Sequence, residues 1–231
     1  TATQLVMDVA GVSIIGLGWG DSRPVLTFTT VGSSINVTGN NNLISNLVFR
    51  AGIASVVTCL NITGNNFEIN NCRWTFNLTT HSFVTMIALA GSATLCMYPY
   101  LHDLRMATEV ASATPDAAIT LVGVIQPRLE NIQIYGTFIT APIKGLTTLS
   151  SQVHFENLRT YNSVASVAYN ALDLGAVNTT GNLIDCTFTG LYATPSTKVA
   201  RYGTVNCDNV GQAGAVSRRA AKLIPATSPT S

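Results

Sequence analysis

The chain has 231 residues, of which 47% are hydrophobic and only 10% are charged, and its formal net charge is +1. Such a balance offers no basic surface for nucleic acid or an anionic membrane, and no apolar run reaches the roughly 18 residues of a membrane span, so we expect neither partner. Ser, Thr and Asn take the place of the missing charges, which favours a surface covered by protein partners.

Residues 1–31 are predicted to be an N-terminal segment that caps one end of a single domain. The segment contains the glycine-rich stretch Gly16-Leu-Gly18-Trp-Gly20. This stretch lacks the spacing of a dinucleotide-binding loop and the Lys-Ser/Thr of an ATP-binding loop, so we expect no cofactor. Trp19 in the same loop is a candidate for an exposed surface contact.

An internal repeat follows the capping segment. The phrase INVTGNNNLISNLVF at Ile35–Phe49 returns as LNITGNNFEINNCRWTF at Leu60–Phe76. The second half of the phrase occurs six times: an apolar residue, any residue, Asn or Asp, then apolar, any, and usually apolar. The Asn/Asp positions, 25 to 32 residues apart, are Asn46, Asn71, Asp103, Asn131, Asn157 and Asp185.

This spacing predicts a sharp corner at each Asn or Asp. Apolar residues flank a two-residue interruption that strict strand alternation does not allow, and Asn and Asp tolerate the left-handed conformation that a corner needs. Short strands joined by such corners, repeated at this period, indicate a solenoid. We therefore predict an all-β, single-domain parallel β-helix of about seven coils over residues 32–210. Leucine-rich repeats are the alternative, but they need a helix in each repeat.

Residues 211–231 are rich in Pro, Ser and Thr and are predicted to form an extended C-terminal arm. Its charges are Arg218, Arg219 and Lys222, which are candidates for contacting a partner. Five cysteines form no CxxC pair and are odd in number, which indicates buried free thiols in a protein made in a reducing cytoplasm. No cluster of His, Cys or carboxylates predicts a metal site.

One pair of carboxylates is a candidate for catalysis. The residues before the corners form an outward column in which Glu130 and Glu156 are expected one turn apart, close to the spacing of a retaining glycosidase pair. A neighbouring column that includes Arg105 and Arg159 is expected to lie beside them and to favour their ionised forms. A general acid needs a raised pKa instead, so an ion-paired strip is the favoured interpretation.

The Asn corners, the coil length and the opening Gly-Val-Ser-Ile-Ile-Gly-x-Gly, which starts at Gly11, resemble the right-handed parallel β-helix of the pectate-lyase superfamily, especially in bacteriophage virion proteins. The resemblance implies a right-handed coil and, for virion components, trimers. It also includes enzymes with a calcium site of several carboxylates and an arginine base, or with paired Asp residues and Gly-His-Gly and Arg-Ile-Lys motifs. None of these strings occurs in this chain.

We therefore expect a non-enzymatic bacteriophage virion protein, a homotrimer that decorates or cements the capsid by binding the major capsid protein or other virion proteins. The alternative is a phage tailspike or fibre protein that binds or cleaves host surface polysaccharide. A third hypothesis is a free bacterial glycoside hydrolase or polysaccharide lyase of the same fold. The latter two would have carbohydrate as the partner.

Overall fold

The computed structural model describes residues 4–90, 96–108, 115–145, 148, 150–163, 172–174, 181–190, 197–198, 202–205, 207–210 and 218–220. These residues form a single-domain parallel β-solenoid of about six turns, close to the seven that the repeats predict. The strands in chain order are β1 (Gln4–Met7), β2 (Ser13–Ile15), β3 (Val25–Phe28), β4 (Ser34–Val37), β5 (Leu43–Ser45), β6 (Val48–Ala51), β7 (Val56–Ile62), β8 (Glu68–Asn70), β9 (Arg73–Phe76), β10 (Phe83–Ala90), β11 (Cys96–Met97), β12 (Tyr100–Thr108), β13 (Ala117–Val122), β14 (Val124–Ile125), β15 (Arg128–Gly136), β16 (Ile143–Gly145), β17 (Val153–Glu156), β18 (Arg159–Asn162), β19 (Leu172–Asp173), β20 (Gly181–Ile184), β21 (Thr187–Gly190), β22 (Thr197–Lys198), β23 (Tyr202–Val205), β24 (Cys207–Val210) and β25 (Arg218–Ala220).

Each turn contributes one strand to a first sheet and two to a second, bent sheet. The first sheet has the order β1-β4-β7-β10-β13-β16-β19-β22 and is parallel throughout. In the second sheet, pre-corner strands such as β5 and β8 lead into the Asn/Asp corner, and post-corner strands such as β6 and β9 follow it. Strands β12 and β15 run through the corner without a break.

The core consists of apolar side chains that stack from turn to turn. Alternate strand residues point inward, so each core position of one turn meets its counterpart on the next. One such column, in the pre-corner strands, is at most 1% exposed: Ile44, Ile69, Leu101, Leu129, Phe155 and Leu183. Phe49 and Trp74 pack on neighbouring post-corner strands with ring centroids 4.8 Å apart, which places Trp74 in the core as its repeat position predicts.

All six residues at the predicted corners have a positive φ, between 48° and 59°. Their side chains form a ladder between turns. The Asn71 amide donates to Asn46 Oδ1 at 3.0 Å, and the Asn157 amide donates to Asn131 Oδ1 at 3.1 Å. The ladder thus links the corners of successive turns by side-chain hydrogen bonds.

A second left-handed corner precedes the pre-corner strands, and sequence reasoning did not identify it. Its residues have φ between 51° and 58° and are Asn41, Asn66, Tyr98, Gln126 and Gln152. The backbone N–H groups of the first four bond to the next turn, as from Asn66 to the Met97 carbonyl at 2.8 Å and from Tyr98 to the Ile125 carbonyl at 2.8 Å. A left-handed conformation costs roughly 1–2 kcal/mol for most residues, so the turn-to-turn bonds must hold Tyr98 and Gln126 in place.

Both segments that flank the predicted β-helix, the capping segment and the C-terminal arm, contain residues that form strands. Residues assigned from the sequence to a capping segment form β1, β2 and β3, which pair with β4, β5 and β6 as the first turn of the solenoid. In the predicted C-terminal arm, the backbone of Arg218 and Arg219 belongs to β25, which pairs antiparallel with β24. Lys222 lies outside the described residues.

The cysteine side chains that the structure describes are all buried. Cys59, Cys72 and Cys96 are free thiols, and Cys186 is buried beside the same core. Burial raises the pKa of Cys72 to about 11 and that of Cys96 to about 12, so these thiols stay protonated at neutral pH. No helix in the described part of the chain is long and apolar enough to cross a membrane.

Candidate functional site

Two columns of outward side chains run side by side along the pre-corner strands. The first column, in register from turn to turn, is Leu43, Glu68, Tyr100, Arg128, His154 and Asn182. The second column is Ser45, Asn70, His102, Glu130, Glu156 and Ile184. Glu130 and Glu156 are register partners on adjacent turns, which confirms the placement that the repeats predict.

Glu130 is the most enclosed carboxylate of this face, with only 17% of its side chain exposed. The Tyr100 hydroxyl donates to Glu130 Oε2 at 2.7 Å, and the Arg128 guanidinium donates to Oε1. The His154 Nε2 atom lies 3.8 Å from the same Oε1. Both carboxylate oxygens therefore have partners within the protein.

These partners keep Glu130 ionised. Partial burial acts to raise the pKa of Glu130, but the hydrogen bonds from Tyr100 and Arg128 and the nearby positive charges outweigh burial, so its pKa is lowered. The same contact, with burial, raises the pKa of Tyr100 to about 12. Glu130 accordingly lacks the raised pKa of a general acid.

His154 connects the two glutamates. Its Nε2 atom lies 3.3 Å from Glu156 Oε2, and its Nδ1 atom lies 2.8 Å from Asn182 Oδ1 on the next turn. One donor atom each from Glu130, His154 and Glu156 can be chosen so that all three lie within 4.8 Å of one another. The sequence did not predict this cluster, because His154 lies just before the repeat motif and no other histidine is near it in the chain.

A related network surrounds His102. The Nδ1 atom of His102 lies 2.7 Å from Asp103 Oδ2, and its Nε2 atom lies 3.3 Å from Glu68 Oε1. Burial acts to raise the pKa of Asp103, but hydrogen bonds from His102 and Asn131 outweigh it, so the pKa is lowered. The Tyr100 ring stacks on His102 with a centroid distance of 4.3 Å. This network therefore joins a corner residue to the two columns.

An open groove of about 700 Å³ borders the two columns. The second left-handed corner forms one side of it through Tyr98, which is 49% exposed, and through Gln126 and Gln152. The remaining lining residues are Pro99, Tyr100, Arg128, His154, Gly181 and Asn182. Rings, amides and a guanidinium in one open groove suit a polar or charged ligand.

The arginine column predicted beside the glutamates is not what neutralises Glu130. Arg105 and Arg159 are each in register with Gln133, on the strands that follow the corner. The basic side chains that contact Glu130 are those of Arg128 and His154, on the strand side of the corner. The sequence predicted the ionised state of Glu130, but the arginine partners that it predicted were wrong. The corner separates residues that are only three positions apart in the chain.

The remaining candidates lie elsewhere. Trp19 is 88% exposed and sits just before a short 3-10 helix at Gly20–Ser22 in the first turn. Trp19 is not among the described residues that line the groove, and the side chains of Arg218 and Arg219 lie outside the described part of the structure. The described residues thus divide the candidate surfaces into a polar groove and the exposed first turn.

No protein-family model, curated protein or solved structure matches this chain. The parallel β-solenoid implied by the resemblance is confirmed by the structure, whereas the family relationship itself stays a prediction. The function is therefore argued from the chain's own residues.

Proposed function

We propose that this protein is a non-enzymatic structural component of a bacteriophage virion, which decorates the capsid as a homotrimer by binding the major capsid protein. The observation that carries the proposal is the concentration of exposed apolar side chains on the first turn. Many exposed apolar side chains on one turn of a protein with few charges favour contact with another protein.

The apolar first-turn surface contains most of the large hydrophobic side chains that are exposed among the described residues. Leu17 is 87% exposed and Trp19 is 88% exposed, which leaves both side chains almost entirely free to contact a partner. The other members of this surface are Leu5, Val6, Val9, Ile15, Val25 and Val31. Aromatic residues such as Trp19 often dominate the binding energy of an interface.

The polar groove supports the non-enzymatic part of the proposal. Glycoside hydrolysis needs one carboxyl group that keeps its proton to protonate the leaving group. Glu130, the more enclosed of the two candidates, has a lowered pKa because Tyr100 and Arg128 stabilise its ionised form. Glu130 is therefore stabilised in its ionised form and is not suited to be the general acid of such a pair.

Reconstitution on particles tests the proposal. Purified protein is added to capsids that lack it, and the amount that sediments with the particles is measured. Leu17→Ser and Trp19→Ser should each weaken binding at least tenfold, whereas Leu78→Ser should not, although Leu78 is also 56% exposed. Equal binding by all three variants would contradict a role for the first turn.

The trimer is tested separately by light scattering. We expect a mass of about three times the 24.4 kDa chain, in solution or after release from particles. A monomeric mass in both settings would refute the trimer without bearing on capsid binding.

The groove favours a second candidate, a tailspike or fibre protein that binds host surface polysaccharide. Tyr98 offers an exposed ring on which a sugar can stack, and Arg128, Gln126 and Asn182 offer polar groups beside it. Calorimetric titration with host polysaccharide distinguishes the candidates. Binding that Tyr98→Ala abolishes would favour this alternative, and cleavage products lost in Glu130→Gln and Glu156→Gln would favour an enzyme.

A further inference from the structure

We propose that Glu130, His154 and Glu156 form a binding site for one divalent transition-metal ion of the Zn²⁺ class. Glu130 lies on β15, and His154 and Glu156 lie two residues apart on the adjacent strand β17. Side chains two residues apart on a strand share a face, and register partners on parallel strands are neighbours on that face. A paired, bent sheet thus holds all three potential ligands on one rigid surface.

The separations of the donor atoms fit a common ion. A tetrahedral Zn²⁺ site with bonds of roughly 2.1 Å places neighbouring ligand atoms about 3.4 Å apart. His154 Nε2 lies 3.3 Å from Glu156 Oε2 and 3.8 Å from Glu130 Oε1. Small side-chain rotations are sufficient to bring the three atoms to coordination distance.

The orientation of His154 is the second observation, and it is independent of the carboxylates. Its Nδ1 atom faces the Asn182 side-chain oxygen at 2.8 Å, and an amide oxygen can only accept a hydrogen bond, so Nδ1 carries a proton. The Nε2 atom then faces the two carboxylates, where either its own proton, donated to Glu156 Oε2, or a cation between the three groups satisfies their charge. A histidine that is oriented by an acceptor on its other nitrogen is typical of a metal ligand.

The ligand set selects the class of ion. One imidazole and two carboxylates suit Zn²⁺, Co²⁺ or Mn²⁺, whereas Ca²⁺ and Mg²⁺ prefer oxygen ligands alone. His154 lines the open groove, so an ion has access to the site from solvent. Arg128 contacts the same Glu130 oxygen and repels a cation, so binding of the ion requires the Arg128 side chain, which is 59% exposed, to move aside.

The matched control is His102. Its two carboxylate neighbours, Glu68 and Asp103, contact opposite ring nitrogens. One ion therefore cannot be shared among His102 and both of these carboxylates. Loss of His102 removes a histidine between two acidic residues without removing the proposed site.

Calorimetric titration of the full chain with Zn²⁺, under reducing conditions at neutral pH, tests the proposal. We expect one ion per chain for the wild type and for His102→Gln, and no specific binding for His154→Gln or Glu156→Gln. Circular dichroism checks that each variant keeps its β structure. Failure of the wild type to bind, or equal binding by His154→Gln, would overturn the site.

Two further variants separate a metal site from a structural ion-pair network. Asn182→Ala should weaken Zn²⁺ binding about 10- to 100-fold, the usual effect of losing an outer partner of a ligating histidine. Arg128→Gln should strengthen binding, because it removes a positive charge from the site. If Arg128→Gln weakens binding, or if Ca²⁺ binds in preference to Zn²⁺, the proposed site is wrong in its geometry or in its ion.

Discussion

Replacement of Gly64 by alanine should break the close contact between two successive turns. A Cβ atom at Gly64 would lie 2.0 Å from the Gly39 carbonyl oxygen of the neighbouring turn, so the turns would have to separate by more than 1 Å to reach ordinary contact. That movement disrupts the hydrogen bonds from Thr63 N and Gly64 N to the Val37 carbonyl, which are 2.9 and 3.1 Å long. Each bond contributes about 0.5–1.5 kcal/mol, and overpacking adds about 1–3 kcal/mol.

The expected loss is therefore roughly 4 kcal/mol in the free energy of unfolding, or about 8–16 °C in melting temperature for a chain of this size. Urea unfolding followed by circular dichroism measures it. Gly32→Ala is the matched control, because a Cβ atom there meets nothing within 4 Å and should stabilise the fold by about 0.4–1 kcal/mol. Equal stability of the Gly64 and Gly32 variants would refute the stacking of these turns.

Three further outcomes are expected. The pKa of Glu130 lies below its ordinary 4.5, so its ionised form should stabilise the fold above that pH, and this stability should disappear as the pH falls through the folded-state pKa. Glu130→Gln should therefore flatten the acid limb of a curve of melting temperature against pH. An unchanged acid limb would contradict the ion pairs. In a Cys207→Ser background, Ellman's reagent should label no thiol until urea is added, since the four thiols of known environment are buried; rapid labelling of the native protein would show an open core. Phe49→Ala should lower the free energy of unfolding by about 3–5 kcal/mol because Phe49 is fully buried, and a loss no larger than that of the exposed-site control Leu78→Ala would contradict its place in the core.

The sequence was sufficient to predict the solenoid because its physical requirements fall on single residues. A corner needs a residue that tolerates positive φ, and Asn or Asp at six repeat positions supplies it. The inward columns need apolar residues at fixed offsets from the corner, as at Ile44 and Ile69. With the register fixed by these offsets, the alignment of Glu130 with Glu156 followed directly.

The second corner and the groove were harder to predict because they depend on contacts between turns. Tyr98 and Gln126 adopt positive φ without the residue type that signals it. Their conformation is imposed by backbone bonds to the next turn, such as Tyr98 N to the Ile125 carbonyl. The partners of Glu130 were missed for the same reason, since Arg128 and His154 occupy repeat positions that have no consistent residue type.

Immunogold electron microscopy of intact virions from the source of this chain tests the proposed function most directly. The antibody is raised against the purified protein, and particles from a deletion strain provide the control. We expect label distributed over the capsid shell, with none on the deletion particles. Label confined to the tail, or particles without label, would contradict a capsid protein, and label on the tail would favour recognition of host polysaccharide through the groove.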